Sequence, residues 1–427
     1  MFTSFSTALS ALNATSTAID VVGNNLANLN TTGYKESVVS FHDLVTQSLG
    51  AGLGETQVGF GTARPLTMRQ FSQGALQASS GLLDAAIQGD GFFVVRDPST
   101  NAQLYTRAGD FQIDKGGNLL TSTGQRVEGW TLANGVLNTS GAVGDIQIPV
   151  GQLRQPLATS NFSLGVNLNA SAVAGVSTGP TQDNFSTPIQ VVDSLGNPLV
   201  MTATFTKDPA TPLQWNYQIT IPGNATTAGV PGTPTALLAT PGVLTFDSSG
   251  KMVSPVAPGA IPVSVTGLVD SSADMNINFN LFGADGNPTI TQFSQPSATS
   301  ANSQDGVPAA QLVRVGLGDG GEVLAQYSNG TQQVVAQLAL ASIRNPGSLM
   351  AVGQNNYEAS AATALPAVGV ANTGGRGQIQ GGSLESSTVD IAKEFTNLIV
   401  LQRAYQANGK VITAGDQLSQ DTINLIR

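Results

Sequence analysis

Two apolar seams, one at each end of the chain, limit the folds that this sequence can adopt. Near the N-terminus, apolar residues recur at alternating steps of three and four, at Phe2, Phe5, Leu9, Leu12, Ile19 and Leu26. Near the C-terminus the same spacing links Ile391, Phe395, Leu398, Tyr405 and Ile412, and Leu418 belongs to a heptad-spaced row that follows. Such narrow stripes are typical of coiled-coil helices rather than of helices that cover a globular core. We therefore predict a long helix at each end of the chain.

These predicted helices need a partner, because most helix stability in proteins comes from burying the apolar stripe. The two ends could pair with each other as a hairpin inside one subunit, or they could pack against the same segments of neighbouring copies. Periodicity leaves both arrangements open. In the second case, a head-to-tail contact that does not close into a ring generates an open helical filament. We then expect the two ends to become ordered on polymerisation. The N-cap of the C-terminal helix is predicted at Ser386 or Ser387, with Asp390 in its first turn.

Between the two ends the sequence changes to a pattern typical of β structure. Short apolar or alternating runs such as 91–95, 189–192 and 334–340 are bounded by turn signals rich in Asp, Gly and Asn. The chain contains 49 Gly and 21 Pro. We predict a mainly β protein with α-helical termini, in which the helices pair as a coiled-coil-like inner layer. Two sandwich- or barrel-like β domains would stack outward from that layer.

Composition excludes several classes of function. The 427 residues carry a formal net charge of −10, and only 10% of them are charged, so no basic stripe is present to bind nucleic acid. There is no cysteine and His42 is the only histidine, which rules out thiolate and His-cluster metal sites. We predict no cofactor and no metal site. Because residues 1–34 lack Lys and Arg and no apolar core follows, we also expect no cleaved signal peptide and no membrane insertion.

A secreted β-rich enzyme or adhesin is an alternative from a different class. A glycosidase would need two paired carboxylates, and the candidates are Asp183, Asp193, Asp208 and Asp247. Each stands beside Gly, Pro, Asn or Ser in a turn-like context, so we interpret them as solvated turn residues. An adhesin would not explain apolar seams at both termini.

Four short segments resemble the flagellar rod and hook protein family. The first is the N-terminal signature 24–35, whose matching residues are Asn24, Asn25, Ala27, Asn28, Thr31, Gly33 and Tyr34. Segments 84–93 and 104–111 resemble the first two β elements of the family, and 384–390 with 402–417 resembles its C-terminal signature. The departures are Thr388, Gly409 and Leu418-Ser419. The resemblance covers about 1–145 and 310–427.

The middle of the chain favours the hook branch of that family. Rod proteins mostly lack a large insertion, whereas here a long β region intervenes, and a distal rod subunit with a large insertion is the alternative. The resemblance implies four parts. They are a helical polymerisation core (1–35 plus 384–427), a connecting segment (36–80 plus 355–383), an inner β domain (81–149 plus 310–354) and an outer β domain (150–309).

By the same resemblance, the chain would be a structural, non-enzymatic subunit of the flagellum that polymerises with itself. Its polymer would be a curved hollow tube, a flexible universal joint that transmits motor torque to the filament. The resemblance also implies an extracellular location after type III export, and contacts with the rod, the hook cap and the hook–filament junction proteins. Phe41 and Val45 fit a loose pattern linked to recognition by the export gate.

Overall fold

The computed structural model describes residues 2–44, 46–49, 56–59, 61–133, 135–176, 178–179 and 182–425. Within these ranges the chain forms two long helices, α1 (Phe2–Ala27) and α2 (Ile391–Leu425), and many short strands between them. Neither helix is both long and apolar enough to cross a membrane. The predicted fold class is confirmed in that the protein is mainly β and its terminal helices contact each other.

The strands have the following bounds. Before residue 150 they are β1 (Ser37–Ser40), β2 (Thr46–Leu49), β3 (Thr56–Gly59), β4 (Leu66–Arg69), β5 (Leu76–Ala78), β6 (Ala85–Gln88), β7 (Phe92–Arg96), β8 (Gln103–Thr106), β9 (Phe111–Ile113), β10 (Leu119–Thr121), β11 (Arg126–Ala133), β12 (Val136–Leu137) and β13 (Gly144–Asp145). The next are β14 (Leu153–Arg154), β15 (Asn161–Asn169), β16 (Asn184–Val192), β17 (Pro198–Lys207), β18 (Gln214–Pro222), β19 (Pro234–Ala236), β20 (Gly242–Phe246), β21 (Met252–Ser254), β22 (Ala260–Val265), β23 (Met275–Asn280), β24 (Ile290–Phe293), β25 (Ala298–Gln304) and β26 (Ala310–Leu317). The last are β27 (Glu322–Tyr327), β28 (Gln332–Leu338), β29 (Leu340–Ser342), β30 (Met350–Gly353), β31 (Asn356–Glu358), β32 (Ala367–Gly369), β33 (Gln378–Gly381) and β34 (Ser383–Glu385).

The chain divides into two compact units. The terminal unit comprises 1–150, 313–326 and 331–427, and the middle unit comprises 151–312 and 327–330. The finer division into four parts stays a prediction.

In the terminal unit, strands from both halves of the sequence share one sheet. The strands β27, β28, β11, β7, β8, β31 and β30 lie side by side in this order. Phe92 to Val95 of β7 are all buried, because both faces of this strand are covered. Aromatic rings pack edge to face on one side, with Phe71 5.4 Å from Phe92 and 5.2 Å from Tyr357 between ring centroids. Such pairs add stability beyond the area they bury.

Two strand pairs lead the chain from this sheet to the C-terminal helix. Strand β33 pairs antiparallel with β6, and β34 pairs antiparallel with β5. Residues 378–385 are thereby hydrogen-bonded to residues 76–88. This pairing fixes the point from which α2 starts.

The middle unit is a β-sandwich. One sheet has the order β22, β23, β15, β24 with β25 also on β15, and the other has β16, β17, β18, β20, β21 with β19 on β18. Buried and half-buried residues alternate along β15 and β18, as expected for strands with one face on a core. Tyr217 from one sheet meets Phe279 from the other, with ring centroids 6.2 Å apart. Most of the buried apolar residues described in this unit form one continuous cluster.

Candidate functional site

The two terminal helices pack against each other through small side chains. The buried residues described in α1 are Ala8, Ala14, Thr15, Ala18, Val22 and Asn25, and from Thr15 onward they follow steps of three and four. The less exposed positions described in α2 are Glu394, Leu398, Leu401, Ala404, Asn408, Gly409, Ile412 and Gly415. Small residues at a helix contact let the backbones approach closely. The side chains that α1 buries within its own subunit are thus mostly small.

The large apolar residues that the sequence singled out lie beside this contact, and many of them face solvent. In α1, Phe5 and Leu9 are 48% and 46% exposed, while Leu12, Ile19 and Leu26 are half-buried. In α2, Ile391, Phe395, Tyr405 and Leu418 are exposed, while Leu398 and Ile412 are half-buried. Phe2 begins α1, and its side chain lies outside the described part. Each helix thus presents large apolar groups that its own subunit does not cover.

The asparagines at the end of α1 organise the turn that follows. Tyr34 is buried, and its hydroxyl donates to Oδ1 of Asn24 at 2.9 Å. The Asn25 amide bonds the backbone of Ser37 twice, accepting from its N–H at 3.0 Å and donating to its carbonyl at 2.9 Å. Asn28 Nδ2 donates to the carbonyl of Asn24 at 2.9 Å. The last residue of α1, Ala27, is exposed.

The same turn is closed by Thr31 and Gly33. The Thr31 hydroxyl donates to Asn28 Oδ1 at 3.1 Å. Gly33 adopts φ +65°, and its N–H donates to the carbonyl of Glu385 at 2.7 Å. A Cβ at this position would lie 2.6 Å from the carbonyl carbon of Arg107. Only glycine fits both the left-handed conformation and this close approach of two backbones.

Replacing Gly33 with Ala is expected to lower the free energy of unfolding of the terminal unit by about 2–4 kcal/mol. The strain of an alanine at positive φ adds to the steric overlap of its Cβ with the backbone of Arg107. The matched control is Gly23→Ala in α1. There an added Cβ has no atom within 4 Å, so the change should stabilise the helix by about 1 kcal/mol. Urea unfolding of both variants measures this difference, and equal effects of the two substitutions would contradict the argument.

A buried ion cluster, which we call the anchor, ties three distant segments together. Nζ of Lys35 lies 2.6 Å from Oε1 of Glu385, and Nη1 of Arg107 lies 3.3 Å from Oε2 of the same carboxylate. The side chains of Lys35 and Glu385 are fully buried. Further hydrogen bonds complete the cluster, from Lys35 Nζ to the Ser72 carbonyl at 2.6 Å and from the Gly74 N–H to Glu385 Oε1 at 2.8 Å.

Burial and charge pairing act in opposite directions on the ionised groups of the anchor. Burial lowers the pKa of the Lys35 ammonium, and the nearby Glu385 carboxylate opposes that shift. The Arg107 guanidinium also donates to the Gly89 carbonyl at 2.9 Å and lies over the Phe92 ring, 5.3 Å from its centroid. Two cations therefore share one carboxylate in a site without water access, where each partner depends on the others.

Sequence reasoning missed the anchor as a cluster. Lys35, Arg107 and Glu385 each lie in a different segment that resembles the flagellar family, yet none was singled out for its charge. The available signal was composition: in a chain with 10% charged residues, charges inside otherwise apolar or small-residue segments are unusual. The pairing across 350 positions between Lys35 and Glu385 has no local signal.

The start of α2 differs from the predicted cap. Oδ1 of Asp390 accepts from the N–H groups of Ala392 at 2.8 Å and Lys393 at 3.0 Å, so Asp390 is the N-cap. The prediction of Ser386 or Ser387 was wrong because residues 383–385 continue as β34. The Ser387 hydroxyl instead accepts from the Val389 N–H at 3.3 Å, ahead of the helix.

Asp390→Ala is expected to destabilise the first turn of α2 by about 1 kcal/mol, because two helix N–H groups lose their acceptor. Amide exchange of Ala392 and Lys393 should become roughly fivefold faster. Ser387→Ala is the matched control and should leave these two amides unchanged. A cap at Ser387 would give the opposite ranking.

The remaining candidates are the two possible export residues and the four carboxylates considered for a glycosidase. Phe41 is exposed, and Val45 lies outside the described residues. Two of the carboxylates considered for a glycosidase accept from backbone N–H groups of their own turns, Asp193 from Leu195 at 2.9 Å and Asp208 from Ala210 at 2.8 Å. Asp193 is only 3% exposed, so its interpretation as a solvated residue was wrong. Asp247 accepts likewise from Ser249 at 2.8 Å, and Asp183 accepts from Gly175 at 2.6 Å. Across the described ranges, no group of three or more His, Asp or Glu is placed to hold a metal ion.

Comparison with known proteins identifies the family. The model "Flagella basal body rod protein" matches 5–35, "Flagellar hook protein FlgE/F/G D1 domain" matches 86–166, "Flagellar basal body protein FlaE D2 domain" matches 165–307, and "Flagellar basal body rod FlgEFG protein C-terminal" matches 380–425. Most of α1 and the turn that follows it lie in the first of these segments, and α2 lies in the last.

Full-length relatives carry the same name. The flagellar hook protein FlgE of Treponema pallidum is 31% identical, with 100% of each chain covered. That of Salmonella typhimurium is 30% identical over 99% of this chain and 100% of its own length. A crystal structure of the Helicobacter pylori flagellar hook protein FlgE2 has the same fold, with a TM-score of 0.53 at 16% identity over 73% of this chain and 100% of that one. The chain belongs to the flagellar hook protein family.

Proposed function

We propose that this chain is the structural subunit of the bacterial flagellar hook. It polymerises with copies of itself into a curved hollow tube that acts as a flexible universal joint between motor and filament. The tube is held together by the terminal helices, and catalysis is not part of its role. Family membership and the helices that the chain presents at both ends support this proposal.

One observation carries the proposal of self-assembly. Within the subunit α1 buries Ala, Thr and Val side chains, whereas Phe5, Leu9, Ile391 and Phe395 remain about half exposed. A soluble monomer gains nothing from placing large apolar residues on solvent-facing helix surfaces. Neighbouring copies of the same helices would cover them, and the resulting continuous apolar packing would resist torsion.

The terminal segments and the middle of the chain have different tasks in the tube. Residues 1–35 and 384–427 drive polymerisation, while 150–309 form an outer domain that sets how easily the tube bends. Outer strands such as β25 expose only Ala, Thr, Ser, Asn and Gln side chains. Contacts between such small polar groups are weak and interchangeable, so they can shift as the tube rotates.

We also propose how the subunit reaches the tube. The subunit is exported by the type III apparatus without cleavage, reaches the extracellular part of the flagellum, and meets the rod, the hook cap and the hook–filament junction proteins. Phe41 with Val45 stays a prediction for export-gate recognition, and the exposure of Phe41 is compatible with binding by another protein.

Deleting the outer domain tests the division of tasks. Arg154 and Ala310 are directly opposite each other in the antiparallel pair of β14 and β26, so a two-residue Asn-Gly turn can replace 155–309 without stretching the chain. This shortened chain is expected to polymerise on addition of seeds or precipitant and to give straight or mechanically altered tubes in electron micrographs. Loss of all polymerisation would reject the assignment of bending to the outer domain.

A further inference from the structure

A small apolar groove lies where α1, β1 and the first turns of α2 meet. It has a volume of about 270 Å³, and its walls include Val22, Val39 and Leu401. Val38, Phe41 and Val400, which also line it, are 38%, 46% and 61% exposed. The groove is therefore open to a partner, and most of its surface is suited to an apolar group.

One carboxylate in this groove lacks a full set of partners. Glu394 lines the groove and is only 3% exposed, yet no described residue donates a hydrogen bond to its Oε2. The adjacent Lys393 is already paired with Glu36 at 3.0 Å. Burial raises the pKa of Glu394, the negative charges of Glu36 and Asp390 raise it as well, and Asn25 and Lys393 oppose the shift. A buried, unsatisfied carboxylate oxygen is costly and calls for a donor.

We propose that this groove receives Arg403 from helix α2 of a second copy of the chain. The inference rests on the proposed function, since it requires that copies assemble. Arg403 of the same chain cannot pair with Glu394. Nine residues of helix, about two and a half turns, place it on the opposite side of α2 from Glu394. There it is exposed, and no described carboxylate forms a salt bridge with it.

Charge and shape select Arg403 among the cations of the terminal helices. Helix α1 contains no Lys or Arg, so the donor must come from α2. One neighbour of Arg403 at a spacing of four is Ile399, which is 51% exposed and matches the apolar walls of the groove. Lys410 shares the same face, but its neighbours at spacings of three and four are Gln406, Ala407, Thr413 and Ala414. A guanidinium also meets a carboxylate through two parallel hydrogen bonds, which an ammonium does not.

Full-length Glu394→Gln, Arg403→Gln and the double variant test the pairing. The readout is the critical concentration for seeded polymerisation, measured by sedimentation, together with urea unfolding of the unpolymerised chain. Each single variant is expected to raise the critical concentration roughly 10- to 100-fold. The double variant should resemble the worse single variant, because both remove the same contact. Lys410→Gln, the matched control, should change it less than about twofold.

The unfolding measurement separates assembly from folding. In the unpolymerised chain, Glu394→Gln should leave the urea midpoint unchanged or raise it, because it removes a buried charge that the subunit itself does not pair. A lower midpoint would mean that Glu394 is satisfied within its own chain and would overturn the proposal. Multiplicative effects of Glu394→Gln and Arg403→Gln on the critical concentration would overturn the assignment of Arg403. Non-additive effects of Glu394→Gln and Lys410→Gln would overturn it as well. Failure of the unaltered chain to polymerise would count against the proposed function itself.

Discussion

Glu385→Gln is expected to lower the free energy of unfolding of the terminal unit by about 3–5 kcal/mol, because it leaves Lys35 and Arg107 buried without a counter-charge. Both cations are held by the protein interior, with side chains 0% and 4% exposed. The glutamine can keep the hydrogen bond from the Gly74 N–H, so the loss reports charge rather than shape. Three segments of the chain would lose their common attachment at once.

The matched control is Glu36→Gln. Glu36 is paired with Lys393, whose side chain is 54% exposed. Water screens such a pair, so the control should cost at most about 1 kcal/mol. The comparison holds the chemical change constant and varies the burial of the partner cation.

Each unit contains its own tryptophan, which allows the two unfolding transitions to be separated. Trp130 lies in the terminal unit and Trp215 in the middle unit, and both are buried. In Trp215→Phe chains, fluorescence in urea should show the large loss for Glu385→Gln. In Trp130→Phe chains the transition should not move. Similar losses for Glu385→Gln and Glu36→Gln would contradict the role that we assign to the anchor.

The sequence predicted the elements better than it predicted their contacts. Runs such as Phe92–Val95 were recognisable as a buried strand, and the Asn/Thr/Gly stop after Leu26 placed the end of α1 within a few residues. Local patterns decide such features, because periodicity and turn residues are local. The cap at Asp390 was missed because Ser386 and Ser387 are equally good local caps, and only the pairing of β34 with β5 shows that the strand continues.

The contacts of the terminal helices could not be found from periodicity alone. A search for apolar spacing weights Phe and Leu, so it selects Phe5 and Leu9 and passes over Ala8 and Ala18. The chain nevertheless buries the alanines, because close helix packing needs small side chains more than large ones. The anchor was hidden for a different reason, since Lys35 and Glu385 meet only after the whole β region has folded between them.

The exposed seam residues are the basis of the account, and their replacement should have the largest effect on assembly. Burying a Leu or Phe side chain contributes about 1.5–3 kcal/mol, which corresponds to a change of about 10- to 150-fold in an equilibrium constant. About half of each side chain is already covered in its own subunit, so covering the rest of both contributes about 1.5–3 kcal/mol in total. Leu9→Ser and Phe395→Ser together should therefore raise the critical concentration by about 10- to 150-fold. The folded unit should lose about 1.5–3 kcal/mol of stability, because about half of each side chain is buried there, and urea unfolding measures this loss separately from assembly.

The most direct measurement is seeded polymerisation of this double variant beside Asn13→Ser/Gln406→Ser, which changes two exposed polar positions on the same helices. Sedimentation and electron microscopy would score the tubes, and urea unfolding would check each monomer. We predict normal tubes from the polar control and none from Leu9→Ser/Phe395→Ser at concentrations just above the critical concentration of the unaltered chain. Tubes of normal length from the seam variant would contradict the claim that neighbouring copies cover these residues.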